Sequence, residues 1–202
     1  MDQDIKSFWD KRFAEPGYAY GTEPNEFFRS EIDKLRPGTA LIPGAGEGRD
    51  AIYAAKKGWT VQCVNLSESG KDKTLLLAKE NNVGVLYDCR SINDVDYADN
   101  QFDLIAATYF HLDEQSRKRF SRNVMQWLKP GGHFIAELFT KEQLKNNSGG
   151  PKDIELLMNK EDMKASFGSL EIMSNEETET ILNEGKYHQG KANVVRFVGR
   201  KK

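Results

Sequence analysis

The sequence predicts an α/β fold: a mainly parallel sheet ending in an antiparallel hairpin, with helices on both faces. Three observations lead there. Strand-like apolar runs alternate with helix-like segments from residue 40 to residue 138. The first strand and helix enclose a glycine-rich turn, Gly44-Ala45-Gly46-Glu47-Gly48. The pattern then changes, and residues 170–183 and 192–200 are both β-rich, with residues 187–190 as a turn between them. Alternating strand and helix gives parallel strands joined by crossovers. Two strands with so short a link pair antiparallel, so one strand runs against the rest.

The elements follow in order. Residues 5–13 and 25–35 read as two short helices around a turn-rich stretch, 15–24, and Pro37-Gly38 separates this piece from the first strand, 40–43. A helix over 49–57 clusters Ala51, Ile52, Ala54 and Ala55 on one side, and Gly58 ends it. The second strand, 60–64, closes on the polar Asn65. Ser67 caps a helix running to about residue 81, with Leu75, Leu76 and Ala78 for its buried side. Residues 83–90 are the third strand and 102–107 the fourth. Residues 113–128 form a helix with Phe120, Val124 and Trp127 on one face, and 133–138 the fifth strand. Residues 146–151 are a loop, and 160–167 a helix. The expected organisation is one domain, 1–202, with an N-terminal helical lid segment, 1–37, and a core, 38–202.

Composition narrows the function classes. A net charge of −2 and a pI of about 6.0 lack the broad basic surface of a dedicated nucleic-acid binder. The apolar run 104–110 falls far short of the roughly 20 residues that span a bilayer. Residues 1–10 are polar and show no signal-peptide core. The expectation is a cytoplasmic protein acting on a small molecule, without nucleic-acid or membrane partners and of undetermined oligomeric state. Cys63 and Cys89 fall in strands, where reduced, at least partly buried thiols are expected. His111, His133 and His188 have no ligand-like spacing, so no metal site is expected.

The glycine turn carries the chemistry. Glycines let the chain turn sharply and let a ligand approach the backbone closely. Free N–H groups where the helix begins favour ligand atoms that accept hydrogen bonds. The residue ending the second strand lies about where a ribose would lie. The pattern is G-x-G-x-G, not the G-x-G-x-x-G of a dinucleotide fold, and no G-K-[ST] follows, which excludes a phosphate-gripping P-loop.

These residues resemble the class I S-adenosylmethionine (SAM) dependent methyltransferases. Pro43-Gly44-Ala45-Gly46-Glu47-Gly48-Arg49 is similar to that family's first motif. Phe102-Asp103-Leu104-Ile105 is similar to the opening of its fourth strand, and Leu128-Lys129-Pro130-Gly131-Gly132 to its later turn. Order and spacing agree over residues 40–138. The ends resemble a small-molecule subgroup akin to tellurite-resistance and thiol methyltransferases. They do so through Trp9-Asp10-Lys11-Arg12-Phe13, Tyr20-Gly21-Thr22-Glu23-Pro24-Asn25 and Glu184-Gly185-Lys186-Tyr187-His188-Gln189-Gly190. The resemblance implies a Rossmann-like seven-stranded sheet, SAM as cofactor, and methyl transfer to a small molecule, a thiol or chalcogen species among the acceptors.

It also implies a site. Gly44, Ala45 and Gly46 would hold the methionine part of the cofactor, flanked by Glu47 and Arg49. Asn65 would meet the ribose, where the family usually has an acid. Leu66 and Ile92 would press on the adenine. The adenine-side acid maps onto Ser91, or onto Asp88 after a slip of register. Thr108 would lie near the methionine amino group, and His111 on the same rim is the candidate catalytic base. Tyr18, Tyr20 and Phe27 are candidate lid and substrate-side residues, with plain helix packing as the alternative. Tyr187 and His188, in the predicted hairpin turn, are within reach of the substrate side, with plain solvation as the alternative. Missing acids at Asn65 and Ser91 also fit a SAM-binding protein without catalysis. An NAD-type oxidoreductase is a further rival, disfavoured by the glycine spacing and the terminal hairpin; an RNA or protein methyltransferase is disfavoured by charge.

Overall fold

The computed structural model describes residues 2–202. The chain runs α1 (Asp2–Phe13), α2 (Glu26–Ile32), β1 (Thr39–Pro43), α3 (Arg49–Lys56), β2 (Thr60–Asn65), α4 (Glu68–Glu80), β3 (Leu86–Cys89), β4 (Phe102–Thr108), α5 (Glu114–Trp127), β5 (Leu128–Phe139), α6 (Lys160–Phe167), β6 (Glu171–Glu184) and β7 (His188–Arg200). The strands form one sheet in the order β3-β2-β1-β4-β5-β7-β6. Neighbours from β3 to β5 pair parallel, and β7 lies antiparallel between β5 and β6. This is the expected mainly parallel sheet with one reversed strand.

Side-chain alternation sets the layers. On one face Ala40 and Ile42 of β1, Leu104 and Ala106 of β4 and Ile135 of β5 pack with Phe28 and Ile32 of α2 and with Ala51 and Ala54 of α3. The alternate residues, Leu41, Ile105, Ala107, Phe134 and Ala136, face Phe120, Val124 and Trp127 of α5 and Met163 and Phe167 of α6. Both faces are covered, so the central strands are apolar throughout, as a parallel sheet requires. Their C-terminal ends and the loops after them are left to form one edge of the sheet.

Several local expectations change. Helix α4 buries Gly70, Thr74, Leu77 and Ala78, a face one step round from the expected one. Leu75 and Leu76 are 42% and 52% exposed. The reason is Gly70: a Cβ there would come within 2.7 Å of the Gly46 carbonyl oxygen, so the face carrying this glycine meets the loop. Strand β3 is shorter than expected, and β5 longer. The Lys129-Pro130-Gly131-Gly132 turn sits inside β5 at a register shift opposite Phe102 and Leu104, with Gly131 in the left-handed region. The hairpin turn is tighter than expected. Gly185, at φ +63°, reverses the chain directly after β6, so His188 and Gly190 lie in β7.

The two-faced core predicts a contrast in stability. Phe134→Ala removes a fully buried ring between α6 and β7 and should cost about 3–5 kcal/mol. Leu76→Ala on the exposed side of α4 should cost less than about 1 kcal/mol. Urea unfolding of the two variants checks this; equal losses would contradict the orientation of α4.

Candidate cofactor and acceptor site

Gly44, Gly46 and Gly48 all take positive φ, at 66°, 58° and 91°. The loop is held from below. The Gly44 amide donates to the Val64 carbonyl (2.8 Å), and the Gly46 carbonyl accepts from Tyr87 Oη (2.9 Å) and Thr74 Oγ1 (3.2 Å). The amides of Ala45, Gly46 and Glu47 have no partner among the described residues. Three unpaired N–H groups in the loop leading into α3 form an acceptor-binding cradle. The cradle therefore fits a ligand end rich in hydrogen-bond acceptors, such as the carboxylate of an amino acid.

The adjoining rim holds the other predicted cofactor residues. Asn65 ends β2 and accepts the Ser67 amide with Oδ1 (3.1 Å), a local turn that leaves its Nδ2 without a partner among the described residues. Leu66 follows, and its carbonyl accepts from Cys89 Sγ (3.3 Å). Ser91 is buried and accepts the Asn93 amide (3.3 Å), while Ile92 packs into the core beside Val64 and Val95. Asp88 bonds Tyr97 Oη and Arg90. Thr108 ends β4 and donates to Asp50 Oδ2. Helix α1 lies across this rim. Asp10 accepts from Ser67 Oγ (2.7 Å), and Phe13, stacked on Trp9 (5.2 Å), covers Gly46 and Gly70.

Past the rim lies a buried polar network that no single motif announced. Asn25 is its centre. Its Nδ2 donates to Glu137 Oε1 (2.7 Å) and Glu184 Oε1 (3.3 Å), its Oδ1 caps α2 at the Phe28 amide (2.8 Å), and its own amide donates to Asp50 Oδ1 (2.8 Å). Glu137 also accepts from Tyr109 Oη (2.7 Å) and Arg196 Nε (2.6 Å). Glu184 also accepts from Arg49 (3.1 Å) and His188 Nδ1 (3.0 Å). Burial raises Asp50 above the ordinary carboxylate range, against the pull of Arg49. Burial acts the same way on Glu184, but His188 and Arg49 outweigh it and hold that carboxyl low. Glu47 accepts the Ala19 amide (2.7 Å) and pairs with Lys73 (2.8 Å). The stretch 14–25 is thus strapped to the glycine loop at Ala19 and to the first turn of α3 at Asn25.

An aromatic wall completes the site. His188 is buried, with Tyr20 at 4.5 Å, Tyr109 at 4.7 Å and Phe139 at 5.4 Å between ring centroids. Burial lowers its pKa, so near neutral pH Nδ1–H donates to Glu184 and Nε2 keeps a lone pair. No hydrogen-bond partner of Nε2 occurs among the described residues. Tyr109 holds a positive φ of 51°, unusual for a bulky side chain, and stacks on Phe139 (4.5 Å).

His111 departs from the expected base. Its Nδ1 donates to the Leu156 carbonyl (2.9 Å), and its Nε2 accepts the Phe139 amide (3.4 Å). Both nitrogens are spent on backbone, so no lone pair remains for a substrate proton. Phe27 departs from the lid: it lies in the core with Ile42, Ala51 and Leu104, Arg196 over its ring (5.1 Å). Tyr18 and Tyr20 stay in the strap, Tyr18 packing beside Ile52 and Leu77 and Tyr20 joining the wall. Sequence reasoning misses Asn25, Asp50, Tyr109, Glu137, Glu184 and Arg196 as site residues, and His188, expected within reach of the substrate side from a turn, is instead buried at the start of β7. Their one signal in the sequence is a charge set within an apolar run, as in Glu137 of FIAELF and Arg196 of VVRFV.

Residues 41–136 match the family described as "Methyltransferase domain". A sarcosine/dimethylglycine N-methyltransferase of Halorhodospira halochloris is 36% identical over 98 residues, 47% of this chain and 35% of that protein. The chain thus spans about a third of that relative's length. Among solved structures, one from work on the conversion of a disulfide bond into a thioacetal group during echinomycin biosynthesis superposes with a TM-score of 0.79. It shares 14% identity, with 100% of this chain and 92% of the other covered. TehB of Haemophilus influenzae superposes at 0.72 with 16% identity, covering 98% and 67%. At these identities the structures show the shared fold.

The burial of His111 predicts its titration. Burial lowers its pKa from the ordinary 6.5 to about 4. Between those values the unfolded chain binds the proton and the folded state does not. This contribution to stability is therefore complete above about pH 6.5 and declines as pH falls toward 4. NMR of the His111 ring should show a midpoint below pH 5; a midpoint near 6.5 would contradict the bonds to Leu156 and Phe139.

Proposed function

We propose that this chain, whose residues 41–136 match a methyltransferase domain, transfers a methyl group from SAM to a small-molecule acceptor. A thiol or chalcogen species fits the resemblance of its ends. The observation that carries the reading is the glycine cradle: three amides without partners among the described residues, at Ala45, Gly46 and Glu47, at the edge of a parallel sheet and roofed by α1. Bound there, SAM would supply an electrophilic methyl group.

The residues take these roles. Gly44, Ala45 and Gly46 hold the methionine end through backbone groups. Asn65 offers Nδ2 to the ribose, since its Oδ1 is committed to Ser67. Leu66, Ser91 and Ile92 border the adenine, and Thr108, held by Asp50, borders the amino group. Phe13, Trp9 and Tyr20 exclude water above the reacting atoms, and aromatic faces suit a cationic sulfur. The acceptor sits against Tyr20, Tyr109 and His188. For an acceptor that arrives protonated, the lone pair on His188 Nε2 receives the proton while Glu184 stabilises the imidazolium. An acceptor that arrives as an anion needs only alignment. His111 positions residues 154–158 against β5. The chain acts as one domain in which α1 and the strap 14–25 cover the site, while α2 belongs to the core. Among the described residues no helix is long and apolar enough to cross a membrane, and Cys63 and Cys89 are free thiols, which supports a reducing, cytoplasmic setting.

A second reading, SAM binding without catalysis, draws on Asn65 and Ser91 where the family usually has acids. The same experiment separates the two. Calorimetric titration with S-adenosylhomocysteine should show binding, and Gly46→Val should weaken it at least about tenfold. The new Cβ lies 3.3 Å from Phe13 Cζ, at a φ that branched residues resist. Transfer of labelled methyl from SAM into small thiols and amines should be seen with the parent chain. Binding without transfer to any acceptor favours the second reading. Equal binding by Gly46→Val would overturn the placement of the cofactor.

A further inference from the structure

Resting on the methyltransferase reading, we propose that the acceptor is a small anion and that Arg12 is the residue that reads its charge. Helix α1 places the Arg12 guanidinium 3.6 Å over the ring of Tyr187, with one hydrogen bond, to Tyr20 Oη (3.1 Å). Tyr20 in turn lies 4.5 Å from His188. Arg12 is therefore one side chain away from the imidazole that faces the acceptor.

Arg12 lacks a direct carboxylate partner, although Glu15, bound to Tyr187 Oη, lies near enough to feel its charge. The other cations bordering this site are each paired: Arg49 with Glu184 (3.1 Å), Arg196 with Glu137 (2.6 Å), Lys73 with Glu47 (2.8 Å) and Lys186 with Glu15 (2.8 Å). Among the described residues, no carboxylate lies within ion-pair distance of Arg12. The carboxylates themselves are committed, Asp50 to Thr108 and the Asn25 amide, Glu137 and Glu184 within the network. The half-buried guanidinium thus keeps a fixed plane on Tyr187 and four further N–H donors.

A stacked guanidinium with a free edge is suited to bidentate capture of a planar oxyanion. The tyrosine face holds its plane and costs it none of its donors. An acceptor with a nucleophile at one end and a carboxylate or similar group at the other would span His188 and Arg12. A neutral acceptor would leave that edge without a partner. The acceptor class is therefore an acid bearing a thiol or amine.

The test compares matched acids and esters. With the chain saturated in S-adenosylhomocysteine, calorimetry measures binding of 3-mercaptopropionate and sarcosine against their methyl esters. The parent should prefer the acids at least about tenfold, as expected for a charge-assisted hydrogen-bond pair. Arg12→Gln should bring the ratio near one, and Arg12→Lys, which keeps the charge, should retain part of it. Unchanged affinity for S-adenosylhomocysteine and an unchanged melting temperature show that the variants are folded. A parent without acid preference, or a preference that survives Arg12→Gln, overturns the proposal. Turnover with SAM is read separately: loss of transfer with a retained acid preference overturns methyl transfer and leaves Arg12 standing.

Discussion

Buried carboxylates at the C-terminal edge of the sheet need hydrogen-bond donors, and Asn25 supplies them to three at once. Asp50, Glu137 and the inner oxygen of Glu184 come from α3, β5 and β6, far apart in the chain. Each would be costly to bury without partners. Asn25 donates to Glu137 and Glu184 with its side chain and to Asp50 with its backbone, and its oxygen still caps α2. An aspartate there would lose both side-chain donors and add a charge. A leucine would leave Glu137 and the α2 amide short of partners.

From that constraint follows the layout of the site. Glu47 belongs to the glycine cradle and Asp50 to the first turn of α3, and they fasten the strap at Ala19 and Asn25. Arg49, between them, reaches the Tyr20 carbonyl and Glu184 at the end of the hairpin. The glycine cradle, the aromatic roof and the His188 wall are thus tied to the same four residues, 47–50.

The legible part of this structure was periodic or local. Alternation of strand and helix gave the sheet, Ser67 and Asp113 marked helix starts by their side-chain caps, and Phe120, Val124 and Trp127 named the buried face of α5. The glycine turn fell where the resemblance put it. Other features depended on tertiary contact. The facing of α4 turns on Gly70 meeting Gly46, which leaves Leu75 and Leu76 outside although both are leucines. His111 and Phe27 read as site residues because their positions are right, but a backbone amide and the core claim them. Glu137 and Arg196 are partners only because β7 runs back beside β5 and sets them in register, a pairing with no trace in local sequence.

Amide hydrogen exchange tests the central claim, that residues 47–50 join the glycine cradle and the N-terminal strap. Exchange is measured with and without S-adenosylhomocysteine. Slower exchange is expected together in residues 44–50, in α1 and in residues 14–25, with the Ala19 and Asn25 amides among the most protected. Protection of residues 44–50 alone, with the strap unchanged, would contradict the coupling.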